Sequence, residues 1–286
     1  MEIRPTRWAT SEGVFLYQVP EEGGLLPIEI TMLLSSSLYA ISVFFEYDQI
    51  KFEQESMTIV RINFHSPFDT NDIVENEEEQ GYVIHSSFKD NICFQSIFLA
   101  SQINNQLSEF EKAFLESVVT NLLETLKKEG RNVSDLPFLK NRSIIDDTEN
   151  MLQEIDTKYK SLVASWSLAY GSDYETSKFD FTNVLYNGKI RVEELFYDLG
   201  DRAIESFDQL LMSREEKIIL YKIAKSLVSL SGLLYENEMK ELEDKLKFSH
   251  SEIILEGNQS KKLYRLDVRH YDLEGESFCD ITIMSN

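Results

Sequence analysis

The chain has 286 residues, 42% of them hydrophobic and 12% aromatic, and carries a formal charge of −22 from 50 acidic against 28 basic side chains. So much apolar content excludes intrinsic disorder, and the length suffices for one large core or two modest ones. The charge argues against direct binding to nucleic acid or an anionic membrane and towards a basic protein partner.

The acidic excess has a location: residues 1–100 hold 16 acids and 5 bases, whereas 101–250 hold 27 and 19. The first residues, up to Trp8, lack the apolar stretch of a secretion signal. A cytoplasmic protein is expected, with the sequons at Asn132, Asn141 and Asn258 as chance matches. Runs rich in Val, Ile, Phe and Tyr at 13–19, 25–33, 38–47, 57–64, 82–88 and 92–98 predict a sheet of five or six strands. Turn chemistry at Pro20, Ser66-Pro67 and Lys89-Asp90-Asn91 separates several of them. No charge occurs between Glu29 and Glu46. That stretch is shorter than the roughly 20 residues of a spanning helix and holds Ser35, Ser36 and Ser37, so two buried strands around a serine-rich turn are expected. Within 57–64, Met57, Ile59, Arg61 and Asn63 partly alternate in character with Thr58, Val60, Ile62 and Phe64, which allows one face to be solvated.

The period then changes. Leu107, Phe110, Phe114, Val118, Leu122 and Leu126 make one helical stripe. Ser108 with Glu111 is its capping box, and Lys127, Lys128 and Gly130 mark its end. A second helix is expected from about 148, with Met151, Ile155, Tyr159, Leu162, Trp166 and Ala169 on one face. Asn187-Gly188 signals a hairpin between 179–186 and 189–192. Helical spacing resumes from Val192 to Leu210, and Ser213 with Glu216 caps a long helix to about 247 that breaks near Gly232. Strand-like runs close the chain at 252–256, 263–271 and 278–284. The fold class is α+β: an acidic β-rich domain over 1–100, a helical region over 101–250 and a C-terminal antiparallel β-meander over 251–286. Whether that meander rejoins the N-terminal sheet is left open.

Contiguous catalytic signatures are missing. There is no GxSxG, and the segment from Gly257 to Lys262 lacks the glycine that a phosphate loop places before its lysine. Cys93 and Cys279 sit in apolar contexts without paired spacing and read as core thiols. The histidines His65, His85, His250 and His270 form neither HxH nor HExxH, so neither a metal site nor a cofactor is predicted. His270 continues the face of Tyr264, Leu266 and Val268, opposite Arg265, Asp267 and Arg269, and is the candidate buried titratable group. Asp69, Asp72, Glu75, Glu77, Glu78 and Glu79 form an acidic run without a base: a docking strip for a basic partner, a cation site, or a solvated loop. Their spacing fails the calcium-loop pattern. The segment 235–247, with Met239, Leu242 and Leu246, is either a solvated helix or a contact for a homo-oligomer.

The function expected is therefore non-enzymatic: an acidic protein that binds a basic, nucleic-acid-handling partner as inhibitor or assembly subunit. Two alternatives stand beside it. One is a metal-dependent hydrolase or nuclease whose carboxylates the fold gathers, Asp267 with Arg269 or Glu53 near Lys51 being the visible pairs. The other is a structural subunit of a homo-oligomer or larger complex.

Overall fold

The computed structural model describes residues 5–20, 22–47, 49–67, 81–100, 181–191, 213–236, 248–273 and 276–286, with eight single positions between 116 and 130. In chain order the elements are β1 (Thr6–Ser11), β2 (Val14–Val19), α1 (Ile28–Glu46), β3 (Met57–His65), β4 (Gly81–Lys89), β5 (Ile92–Leu99), β6 (Asn183–Arg191), α2 (Arg214–Leu234), β7 (Phe248–Gly257), β8 (Leu263–Leu273) and β9 (Glu276–Ser285). The architecture is mixed α+β with mostly antiparallel sheet. It divides into two compact units, Met1–Tyr39 with Val83–Lys178 and Ala40–Tyr82 with Phe179–Asn286.

In the first unit the strand order is β2-β1-β5-β4. Two tight hairpins build it, each closed by two residues in the left-handed region: Glu12 (φ 50) and Gly13 (φ 79), then Asp90 (φ 49) and Asn91 (φ 67). That pair of positive φ values gives the turn the twist its strands need. The two turns are tied together, Glu12 N donating to Asn91 O at 3.0 Å and Asn91 Nδ2 to Glu12 Oε1 at 3.0 Å. A Cβ at Gly13 would stand 2.8 Å from the Tyr39 ring, so glycine is required there twice over. Strand β1 escaped the sequence reading because Thr6, Arg7, Thr10 and Ser11 make it polar, yet all six of its residues are buried. Hydrogen bonds compensate part of that polarity: Trp8 Nε1 donates to Gln95 Oε1 at 3.0 Å, and Gln95 Nε2 to Ser86 Oγ at 3.1 Å. The Arg7 guanidinium lies 5.8 Å from the centre of the Phe98 ring.

Helix α1 corrects the expectation of two strands around a serine turn: 28–46 is one helix of 19 residues. Its buried positions Thr31, Leu34, Ser35, Leu38, Ile41, Ser42 and Phe45 recur at helical, not strand, spacing. The hydroxyls fold back instead of breaking the helix, Thr31 Oγ1 donating to Pro27 O at 3.2 Å and Ser35 Oγ to Thr31 O at 2.7 Å. Pro27 stands just ahead of the first turn, where its missing N–H costs nothing. The helix is long and apolar enough to cross a membrane, a test that a core helix also passes, and Met32 and Leu33 are about half exposed, at 49% and 52%. Near its end, burial pushes the Glu46 carboxyl up to about 7, and its Oε2 is buried without a hydrogen-bond partner among the described residues. The folded state therefore holds a proton that the unfolded chain releases, and stability falls as pH rises from about 4.5 through 7. Glu46→Gln is expected to gain about 1–2 kcal/mol at pH 8 and nothing at pH 4, read by denaturant unfolding.

In the second unit the order is β3-β7-β8-β9-β6. β7, β8 and β9 pair antiparallel in succession, and β3 pairs antiparallel with β7 across nearly two hundred residues of chain. Ile62, Phe64, Ile253, Leu255, Leu266, Ile281 and Ile283 form its apolar face. Helix α2 lies on β7 and β8 and opens with the expected capping box: Glu216 N donates to Ser213 Oγ at 3.2 Å and Ser213 N to Glu216 Oε2 at 2.7 Å. Beyond the helix, the Tyr235 hydroxyl donates to Phe64 O at 2.8 Å.

The Asn187-Gly188 hairpin is not formed. Strand β6 runs straight through both residues, pairing Asn187 with Thr282 and Gly188 with Ile281 of β9. A turn dipeptide permits a reversal without enforcing one, and here β9 supplies the partner. Tyr186 covers the glycine, since a Cβ there would stand 2.8 Å from its hydroxyl oxygen. Of the expected helix at 107–130, the described positions are helical, and Gly130 ends it at φ 66. Its apolar stripe, the helices expected at 148–171 and 192–210, and the segment 237–247 lie outside the described residues.

Candidate metal centre

A β-bulge builds the site. Along β3 the register against β7 slips between Ile59 and Arg61. Before it the odd residues Met57 and Ile59 are buried; after it the even residues Ile62 and Phe64 are. The partial alternation expected over 57–64 changes phase here, because one extra residue exchanges the faces. The exchange turns Arg61, Asn63 and His65 to the opposite side from the core. There His65 pairs with His250, Asn63 with Glu252, and Glu252 in turn with Asp267 of β8.

The two imidazoles stack, with centroids 4.1 Å apart and planes 12° from parallel. One ring nitrogen of each and one oxygen of Glu252 lie within 4.8 Å of one another. Of these approaches, His65 Nε2 to Glu252 Oε2 is 3.7 Å. Around this triplet runs a charged frame. His250 Nε2 is 3.1 Å from Asp267 Oδ1, Asn63 Nδ2 donates to Glu252 Oε2 at 3.0 Å, and Arg61 Nε donates to Asn63 Oδ1 at 2.7 Å. Arg265 bridges the carboxylates, donating to Glu252 Oε1 and, at 3.0 Å, to Asp267 Oδ2. Arg269 stands at the rim, 3.6 Å from Asp267.

Burial is the largest single effect on the Glu252 carboxyl and pushes it up. The His65 ring, the Arg265 charge and the Asn63 amide together outweigh burial and hold it at about 2. Asp267 is likewise raised by burial and brought below its usual range by His250 and Arg265, against the opposing charge of Glu252. Both carboxylates are ionised at neutral pH on a strand face with little water.

A second carboxylate site lies at the β7–β8 turn. Glu55 follows a tight turn with Glu53 (φ 52) and Gln54 (φ 70) in the left-handed region. Its Oε2 accepts from the backbone N–H of Gln259 and of Ser260, each at 3.0 Å, and its Oε1 accepts from the Ser260 hydroxyl. The segment that failed as a phosphate loop therefore does cradle an anion, and the anion is the protein's own. These bonds, led by that of the Ser260 hydroxyl, hold the Glu55 carboxyl below its usual range. Glu53 pairs with Lys262 at 2.8 Å. A Cβ at Gly257 would overlap the Glu55 carboxylate. Gly257→Ala is expected to cost about 2 kcal/mol in thermal or denaturant unfolding, and Glu55→Ala in the same background to recover part of it.

Of the residues singled out from sequence, Asp69, Asp72, Glu75, Glu77, Glu78 and Glu79 lie outside the described residues. His270 is half-buried on β8, beside Ser249 and Cys279, and takes no part in the cluster. Tyr264, Leu266 and Val268 are buried on its face, with Arg265 and Asp267 on the other. Neither His65 nor His250 could be chosen from spacing, because the pairing that joins them is between distant strands. No protein-family model matches the chain, and a search of curated proteins returns no match.

Proposed function

We infer that the protein is a non-enzymatic interaction protein that binds a basic partner through acidic surface, as inhibitor or assembly subunit of a nucleic-acid-handling protein. The observation that carries this reading is the charge of −22, half of it contributed by the first hundred residues. Fixed carboxylates imitate the charge spacing of a phosphate backbone, so association is fast, salt-dependent and in competition with nucleic acid. The acidic run from Asp69 to Glu79 is the proposed contact, and the place of action the cytoplasm. The test is affinity purification from native cells at low salt, repeated at about 0.5 M, where screening shortens to a few ångströms. A basic protein recovered at low salt and lost at high salt is expected. A preparation without a partner, or a defined homo-oligomer indifferent to salt, sinks the reading and favours a structural subunit.

The second reading is a metal-dependent hydrolase, favoured by His65, His250 and Glu252 gathered on one strand face with Arg265 and Arg269 beside them. A metal ion activates water and the arginines favour an anionic ester. Hydrolysis of phosphoester substrates that requires an added divalent metal and is abolished in Glu252→Gln is the result this reading expects.

A further inference from the structure

We propose that His65, His250 and Glu252 bind one zinc ion. The geometry is close to closure. Tetrahedral zinc with bonds of about 2.0–2.1 Å holds its donors about 3.3 Å apart. The 3.7 Å between His65 Nε2 and Glu252 Oε2 is near that value, and the whole triplet already lies within 4.8 Å. The backbone already supplies the arrangement: His250 and Glu252 are two apart on one strand and share a face, and His65 stands directly opposite His250 on the next.

Ion pairing alone leaves a remainder that zinc accounts for. His65 Nε2 is buried and has no hydrogen-bond partner among the described residues. Its neighbours are the stacked imidazole and, at 3.7 Å, Glu252 Oε2, too long for a hydrogen bond. A buried polar nitrogen left without a hydrogen bond is costly, and an ion seated between it and the carboxylate satisfies both. His250 is prepared for the same role. Its ring stands 3.1 Å from Asp267 Oδ1 through Nε2, the carboxylate–histidine pairing that orients metal ligands. Asn63 and Arg265 fix the Glu252 carboxylate in the same way. Two imidazoles and one carboxylate suit zinc and its neighbours over magnesium or calcium, which prefer oxygen. Three protein ligands leave a fourth position for water or a small anion, whose charge Arg265 and Arg269 favour.

The site is the one on which the hydrolase reading rests, but the proposal needs no catalysis: zinc here staples β3 to β7 whether or not it does chemistry. The experiment titrates zinc chloride into the untagged full chain at pH 7.5 in a calorimeter, with magnesium chloride as control. One zinc per chain is expected, with a Kd of roughly 1–10 µM, and no magnesium binding. His65→Gln and His250→Gln lose at least about 100-fold and Asp267→Asn about 10-fold, whereas His270→Gln binds as before. Near-UV circular dichroism checks that each variant is folded. Where the histidine variants do not fold, cobalt(II) added to the natural sequence decides: intense visible absorption of a tetrahedral site supports the assignment, and weak octahedral bands overturn it. Zinc bound no tighter than magnesium, or equally by folded His65→Gln and His250→Gln, also overturns it. Zinc bound without hydrolysis removes only the hydrolase reading; failure to bind zinc leaves the partner reading untouched.

Discussion

Trp8→Ala is expected to lower the unfolding free energy by about 4 kcal/mol, in the range for removing a large aromatic side chain from a core. Trp8 is fully buried in β1, a strand flanked by β2 and β5, so surrounding backbone is held by two ladders and has little freedom to collapse into the void. The truncation also strips Gln95 Oε1 of the indole donor at 3.0 Å, which leaves a buried acceptor to be satisfied elsewhere. Trp8→Phe separates the two effects. It keeps most of the apolar volume and is expected to cost about 1–2 kcal/mol for the orphaned amide and the smaller ring. Urea unfolding followed by far-UV circular dichroism reads both values. A loss below about 1 kcal/mol for Trp8→Ala would contradict the placement of β1 inside the first unit.

Glu252→Gln is expected to cost about 3 kcal/mol at pH 7 and to flatten the acid limb of the stability curve. Removing the charge leaves the Arg265 guanidinium with Asp267 as its remaining carboxylate. The direction with pH follows from the folded carboxyl sitting at about 2 against an ordinary 4.5. Below 4.5 the unfolded chain takes up a proton that the folded chain refuses, so the contribution is complete above that pH and is lost as pH falls through about 2. Asp267, also lowered, adds to the same limb. The gap between natural and variant proteins should therefore narrow steadily below pH 4.5. A gap that stays constant with pH would show that the glutamate matters for its shape and not its charge.

How much of this was legible in the sequence depends on how far apart the interacting residues lie. Ser213 with Glu216 and the stop at Gly130 are local devices, and both were readable from spacing. So was the alternation of β8, whose sheet neighbours β7 and β9 are the strands just before and just after it in the chain. Helix α1 was misread because its composition is that of a buried strand, and the serines that suggested a turn spend their hydroxyls on carbonyls one turn back. The period of Leu34, Leu38, Ile41 and Phe45 was there to be counted and outweighs propensity. The histidine cluster was beyond reach for a different reason. It needs the β3–β7 register, set by contacts between distant segments, and a one-residue slip at the bulge that no local pattern announces. Without the slip His65 would lie on the apolar face with Phe64 turned outward, and the site would not exist.

Strand β6 carries a consequence for how the molecule behaves in company. It is the last strand of its sheet among those described, and its outer backbone is a template on which another chain could crystallise into a fibre. Several features spoil that template. The ladder jumps between Val184 and Tyr186, Gly188 offers no side chain to zip against, and Lys189 lays its ammonium 4.3 Å from the centre of the Phe278 ring on the same margin. A straight, uncharged ribbon here would invite amyloid; one interrupted at the Val184/Tyr186 irregularity and carrying a lysine resists it. The margin's irregularity is thus a form of colloidal insurance, and mutations that smooth it would first be noticed as turbidity, before any loss of folding.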